Sequence, residues 1–292
     1  MKILLLGGIT GMLAHDIERV LQQETIEYIS IPRSSISFHS ESDVRACITQ
    51  YMPTHIINTI AFTQVDDAED KLEEAYTVNV TFSKYLACIC NELDIELIHY
   101  STDFVFDGNT VSPYTEKDTP HPINIYGTTK YEGEREILQH CMKSYIIRTA
   151  WLFGIAKENF ITKILQKVQQ VGSISVVADQ YGCPTYTKEL AYATLPFLTE
   201  NIEYGIYHVT NQGEASWFSL ASYAVTCYNK IYKTNYDVHP ILSFNFPQKA
   251  KRPQYSVLNT QYYTEQTQHT LPHWRESVYE FIHEYTKKSI SY

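Results

Sequence analysis

The strongest constraint on the fold of this chain is an alternation. Between residues 2 and 149, short apolar β-rich runs (Lys2–Leu6, Ile26–Ile31, His55–Thr59, Glu96–Tyr100, Ser144–Thr149) alternate with helical patterns starting near Gly11, Ser42, Glu69 and Tyr126. Strands that are apolar throughout and joined by helices belong to a parallel sheet covered on both faces. The expectation is an α/β protein, with a Rossmann-type doubly wound parallel sheet built from residues 1–150 as a dinucleotide-binding domain. Beyond Trp151 the pattern is less regular. It reads as a helix over Asn159–Gln170, a strand over Ile174–Val177, a helix over Lys188–Leu198 and a strand over Ile206–Val209. A Ser216-capped helix to about Tyr228, Pro-interrupted loops and a last helix over Arg275–Lys287 follow. No Gly/Ser/Pro linker or internal repeat separates the halves. Residues 151–292 are therefore expected to form a smaller C-terminal α/β substrate lobe packed on the first domain, with some chain crossing between the two.

Composition narrows the partners. A chain of 292 residues that is 44% hydrophobic can bury a self-sufficient core. Its 23 Lys and Arg against 33 Asp and Glu leave a net charge of −10, which disfavours nucleic acid and anionic membrane surfaces. The six cysteines are scattered and form no Cys-x-x-Cys, so they are expected as reduced, buried thiols. The apolar run Ile3–Leu6 stops at Gly7-Gly8, too short for an export signal, and no stretch of the length a membrane span needs occurs. The reading is a cytoplasmic protein without a membrane partner.

Directly after the first strand comes Gly8-x-x-Gly11-x-x-Ala14. A strand passing through glycines into a helix lets backbone N–H groups and the positive helix end approach a pyrophosphate, where a Cβ would obstruct. Gly8, Gly11, Met12 and Leu13 are thus candidate cofactor contacts. An ordinary Gly-rich turn has the same pattern; the position at the head of an alternating α/β series favours the dinucleotide site. The second strand ends in Ile31-Pro32-Arg33-Ser34-Ser35, without the acidic residue that binds a ribose 2′-hydroxyl. Arg33 suits a 2′-phosphate, which favours NADPH with NADH as the alternative, although a solvated surface Arg would look the same.

Tyr126-Gly127-Thr128-Thr129-Lys130 places a phenol and an ammonium on one helix face. A nearby ammonium stabilises phenolate, so Lys130 is expected to bring the Tyr126 pKa down from about 10 and fit it as a general acid toward a carbonyl oxygen. A surface Tyr/Lys pair is the simpler reading of that motif alone. Tyr100-Ser101-Thr102-Asp103, at the carboxyl end of the fourth strand where ligands bind in open α/β sheets, adds a Thr102 hydroxyl for the same substrate oxygen. Trp151 lies just past the fifth strand, positioned to face a sugar or nicotinamide, and Arg252 is a candidate for diphosphate recognition.

Read together, these segments resemble the extended short-chain dehydrogenase/reductases and, within them, the dTDP-4-dehydrorhamnose reductase family. The likeness rests on the glycine loop, Asn58 to Glu69, Asn79, Ser101 to Gly108, Pro122 to Glu134, Arg148 to Gly154, Asp179 to Thr185, Ser216-Trp217 and Arg252 to Leu258. The resemblance implies hydride transfer from a nicotinamide to C4 of dTDP-4-dehydro-L-rhamnose, for cell-surface polysaccharide. Tyr126 would be proton donor, Thr102 would polarise the ketone, and Lys130 would hold the nicotinamide ribose. It further implies that Ala61, Phe62 and Thr63 run along the cofactor and that Val65, Asp103 and Trp151 line the sugar-nucleotide site. It is compatible with a homodimer. Some relatives place carboxylates around Mg²⁺, and Asp16 and Glu189 sit near such positions, but the chain end Ser289-Ile290-Ser291-Tyr292 supplies no third carboxylate, so no metal site is expected. Relatives often carry a Leu-Asp-x-x-Asp run where this chain has Phe38-His39-Ser40-Glu41-Ser42-Asp43, so no Asp contact to cofactor is carried over. Phe104 stands where a dehydratase needs its base. A 4-epimerase, another sugar-nucleotide 4-ketoreductase, and a non-catalytic regulatory subunit of similar fold are the alternatives.

Overall fold

The computed structural model describes residues 1–38 and 40–290; His39 in the Phe38–Asp43 segment, and Ser291 and Tyr292 at the chain end, lie outside the described residues. The apolar runs form six parallel strands: β1 (Ile3–Leu6), β2 (Tyr28–Ile31), β3 (His55–Asn58), β4 (Glu96–Thr102), β5 (Ser144–Thr149) and β6 (Gly205–His208). Their order is β6-β5-β4-β3-β1-β2, so the direction of strand addition reverses between β1 and β3. A parallel sheet that reverses there opens a crevice at the carboxyl ends of those two strands. Helices α1 (Met12–Gln23), α2 (Glu41–Tyr51), α3 (Phe82–Glu92) and α4 (Ile125–His140) are the crossovers.

Strand side chains alternate between faces and both faces are dry. Ile3 and Leu5 join Ile17, Val20, Ile57, Ile98 and Ile147 in one core, while Leu4 and Leu6 join Val44, Ile56, Phe82, Leu86, Leu97 and Ile146 in the other. Each such side chain contributes about 1.5–3 kcal/mol on burial, which is why the strands have no polar face and read as continuous apolar runs. The sheet is the expected doubly wound α/β architecture.

A third core lies beyond β5. There α5 (Phe160–Val171), α7 (Trp217–Tyr232) and α8 (Trp274–Ile290) pack around Phe153, Leu165, Tyr186, Leu220, Trp274 and Phe281. The expected chain crossing takes a definite form, and two expectations need correction. The strand expected at Ile206–Val209 crosses back to become β6, pairing with β5 from Tyr145↔Gly205 to Arg148↔His208. The helix expected over Lys188–Leu198 is two helices, α6 (Thr187–Tyr192) and a short Pro196–Thr199 helix, because Pro196 has no N–H for the ladder and starts a new helix instead. The Pro-interrupted region holds a strand, Asp237–Ile241, which tolerates Pro240 because it lies at an edge and pairs only with Ser173–Val177. Among the described residues no helix is long and apolar enough to cross a membrane. All six cysteines are free, with Cys47 and Cys88 half-buried rather than buried.

Candidate active site

A cleft of about 790 Å³ opens along the carboxyl ends of β1, β3, β4 and β5. Its floor at β1 is the glycine loop. Gly7 adopts φ +94°, in the region that L side chains rarely enter, and a Cβ on Gly11 would stand 2.6 Å from the Gly7 carbonyl. Gly11 is the N-cap of α1 and offers no side-chain cap, so the first-turn N–H groups face the cleft without a side-chain acceptor. This is a cradle that fits a dinucleotide's pyrophosphate. Gly11, Met12 and Leu13 line it; Gly8 sits behind, where a Cβ would overlap Ser30.

At β3 the chain continues through Ala61, Thr63 and Val65, which line the cleft, while Phe62 is turned into the core at 3% exposure. Asn79 holds this bend: its amide accepts from Phe62 N (2.9 Å) and donates to Phe62 O (3.3 Å) and to Thr129 Oγ1 of α4 (3.0 Å). Arg33 lines the outer cleft beside β2. Its guanidinium reaches the Ala61 carbonyl (3.4 Å) and Glu74 (3.7 Å) and lies 5.5 Å from the Phe38 ring.

At β4 and α4 the hydroxyls converge. Asn124 caps α4 by accepting from Gly127 N at 2.7 Å, which places Tyr126 in the first turn. The helix can press on the strand end because Gly127 has no Cβ to overlap the Phe104 carbonyl. The Tyr126 phenol faces Thr102 and packs edge-on to Phe104 at 5.7 Å. Burial first, then the Asp103 charge, pushes its pKa up to about 12, while the Thr102 hydroxyl pulls the other way. The expectation that Lys130 draws this phenol toward neutrality is not met. Lys130 Nζ is turned to the Tyr100 carbonyl (2.7 Å) and His99 Nε2 (3.1 Å), and burial lowers its own pKa to about 8. Asp103 accepts from Ser256 Oγ (2.5 Å) and Thr102 Oγ1 (3.1 Å), and burial raises its carboxyl to about 7 against those two bonds.

Two further predicted residues have partners that local reading did not supply. Trp151 takes φ +47° and stacks on Trp217, with centroids 3.5 Å apart and planes 5° from parallel. Arg252 grips Asp66 with two bonds (2.9 and 2.7 Å) and also donates to Ala250 O, fastening the segment before Ser256 to the helix after β3.

The sequence matches the RmlD substrate binding domain family over residues 1–287. The chain belongs to that family. Among its relatives, the spore coat polysaccharide biosynthesis protein SpsK of Bacillus subtilis is 33% identical over 97% of this chain and 98% of its own. The structure of a dTDP-4-dehydrorhamnose reductase from Clostridium acetobutylicum superposes with TM-score 0.90 at 34% identity, covering 97% of this chain and 98% of that one. That of the dTDP-4-dehydrorhamnose reductase of Bacillus anthracis, in complex with NADP, gives TM-score 0.89 at 30% identity, covering 97% and 99%.

In this RmlD-family chain, then, most of the residues singled out from sequence line one cleft, with Gly8 and Phe62 behind its wall. Those that sequence reasoning left without a role are Trp217, Ser256, Gln180 and Phe160, all lining the cleft, and His99 behind Lys130. Trp217 and Ser256 stand in segments carrying the family likeness, but their partners Trp151 and Asp103 are 66 and 153 positions away, out of reach of any periodicity. Of the two carboxylates weighed as metal ligands from sequence, Asp16 accepts from Thr187 Oγ1 at 2.5 Å and Glu189 is half-buried. No group of three metal-ligating side chains occurs among the described residues.

Proposed function

We propose that this chain is a dTDP-4-dehydrorhamnose reductase, reducing the C4 ketone of dTDP-4-dehydro-L-rhamnose with NADPH in the synthesis of a cell-surface polysaccharide. The observation that carries this is the buried Thr102 beside the half-buried Tyr126 at the foot of the glycine-loop cleft. When bound, a reduced nicotinamide supplies the hydride. The glycine loop and the α1 N-terminus hold the pyrophosphate, and Arg33 meets the 2′-phosphate with a charge-assisted contact. A ketone oxygen between the two side chains would meet the Tyr126 hydroxyl and, once it turns from Asp103, the Thr102 hydroxyl, so negative charge developing there meets two donors. A phenol whose pKa stands near 12 is fully protonated at neutral pH and still more acidic than an alkoxide's conjugate alcohol, so Tyr126 gives up its proton as the alcohol forms. Trp151, held in place by Trp217, offers an apolar face to the sugar. Asp103 and Val65 complete that wall, and the remaining N–H groups of Arg252 serve the diphosphate. Phe104 adjoins Asp103 where elimination of water would require a second acid or base, which favours simple reduction. The six free cysteines support a cytoplasmic setting.

The test is loss of reduced-nicotinamide absorbance with NADPH and enzymatically prepared dTDP-4-dehydro-L-rhamnose. Oxidation that depends on the sugar nucleotide is expected. Cofactor binding without any oxidation would turn the reading to a regulatory subunit.

A further inference from the structure

Lys130 is 2% exposed, yet among the described residues no carboxylate forms an ion pair with it. Glu134, one turn along α4, is committed to Arg148 of β5 through bonds of 3.0 and 2.6 Å. What Lys130 does contact is polar and directional. Nζ lies 2.7 Å from the Tyr100 carbonyl and 3.1 Å from Nε2 of His99, a ring 1% exposed on β4.

The polarity of the second contact can be worked out from its far end. Ile60 N–H donates to Asn58 Oδ1 at 3.0 Å, which fixes the amide with its NH2 group toward His99 Nδ1, also at 3.0 Å. Asn58 Nδ2 is a donor, so Nδ1 is the acceptor. Burial holds His99 well below its ordinary pKa, and a neutral imidazole carries one proton only, here on Nε2. That N–H points at Lys130 Nζ. An ammonium has three donors and no lone pair, so the two would meet donor to donor; an amine accepts the bond and still donates to the Tyr100 carbonyl. A buried donor left facing a donor costs about 1–3 kcal/mol.

We infer that His99, held by Asn58 with its proton on Nε2, is a positioning residue that favours the hydrogen-bond-accepting amine of Lys130 over its ammonium in the free protein. The titratable groups facing Lys130 are His99 from β4, Tyr126 and Glu134 from its own helix, and Arg148 from β5 behind Glu134, while Tyr100 presents its carbonyl and turns its phenol to Thr194. Asn79 and Thr129 are neutral. Burial takes Lys130 down to about 8, with Glu134 pulling upward. The ammonium is therefore present below that pH and lost above it. Where turnover needs the cation, kcat/KM falls as pH rises through that value. This kinetic consequence rests on the reductase reading; the protonation states do not.

The deciding experiment is nuclear magnetic resonance on the free protein, with ring-¹⁵N histidine and side-chain-labelled lysine, assigned by His99→Gln and Lys130→Arg. Expected are a protonated Nε2 with a bare Nδ1 on His99, and a Lys130 titration centred near pH 8. A proton on Nδ1, or a Lys130 midpoint at the ordinary 10.5, overturns the inference. The kinetic arm uses Asn58→Asp, whose carboxylate still accepts from Ile60 N–H but now also accepts from His99. The proton moves to Nδ1, Nε2 accepts from an ammonium, and the alkaline limb of kcat/KM shifts up by about one pH unit or more, a tenfold change in the acid constant. A purely structural role for His99 lowers kcat/KM at every pH without moving the limb, which also overturns the inference. If the wild-type protein oxidises no cofactor, the reductase reading falls alone and the two titrations still decide this one.

Discussion

Tyr126 faces the hydrogen-bonded Thr102–Asp103 pair, and Tyr126 and Asp103 make different predictions. Removing only the acidic hydroxyl, Tyr126→Phe should lower kcat by about 10²–10⁴-fold and leave NADPH binding intact; cofactor oxidation and a cofactor titration read the two separately. Asp103 titrates near 7 instead of 3.8 because burial disfavours its charge. A carboxyl raised in this way contributes stability that is full below its ordinary value and lost as pH rises through about 7. Asp103→Asn removes that dependence, so the Tm of the variant minus that of wild type should be more positive at about pH 8 than at about pH 4. Arg33→Ala should weaken NADPH by about ten- to a hundredfold, the value of one charge-assisted bond, and NADH far less. Equal losses for the two cofactors, measured by fluorescence titration, would remove the case for 2′-phosphate recognition. Most candidate residues were legible because they stand beside a strand end or within one helical turn of a neighbour. His99 was not, since a histidine inside an apolar strand reads as a core residue until Lys130 is seen to bend back onto it.

At the level of elements, the helix that feeds α3 carries the device that shapes the cofactor wall. It runs from Leu72–Tyr76 through a π-helical turn, Thr77–Thr81, into α3. That turn bulges Asn79 toward Phe62 and α4, and Gly133 lets α4 come close, because a Cβ there would overlap the Asn79 carbonyl. Gly133→Ala should therefore destabilise by about 1–3 kcal/mol, visible as a lower Tm, and weaken cofactor binding by displacing the Phe62 bend. The strands and most helices were legible to within a few residues, since periodicity and caps such as Asn159 and Ser216 are local signals. The π turn was not: its sequence is ordinary, and only the packing of α4 against it calls for the extra residue.

Across the whole molecule, β6 is the element that binds the second half of the chain to the first. Arg148 of β5 lies 3.4 Å from His208 of β6, and the His208 N–H donates to Glu116 at 2.8 Å. Residues 1–150 alone would leave β5 as an open edge carrying the buried Arg148–Glu134 pair. We expect that fragment to be insoluble or to lack cooperative thermal unfolding, and co-expression with residues 151–292 to restore it; circular dichroism decides.

The sequence by itself determined the α/β class, the place of the glycine loop, and the helical spacing that puts Tyr126 and Lys130 on one face. Those follow from short-range rules of backbone geometry and side-chain periodicity. Only the tertiary structure decided that β6 returns to the sheet, that Trp151 stacks on Trp217, that Ser256 holds Asp103 and that Lys130 faces His99. An apolar strand looks the same whichever neighbour it pairs with, and a side chain's partner across the fold is set by packing, which local pattern does not encode.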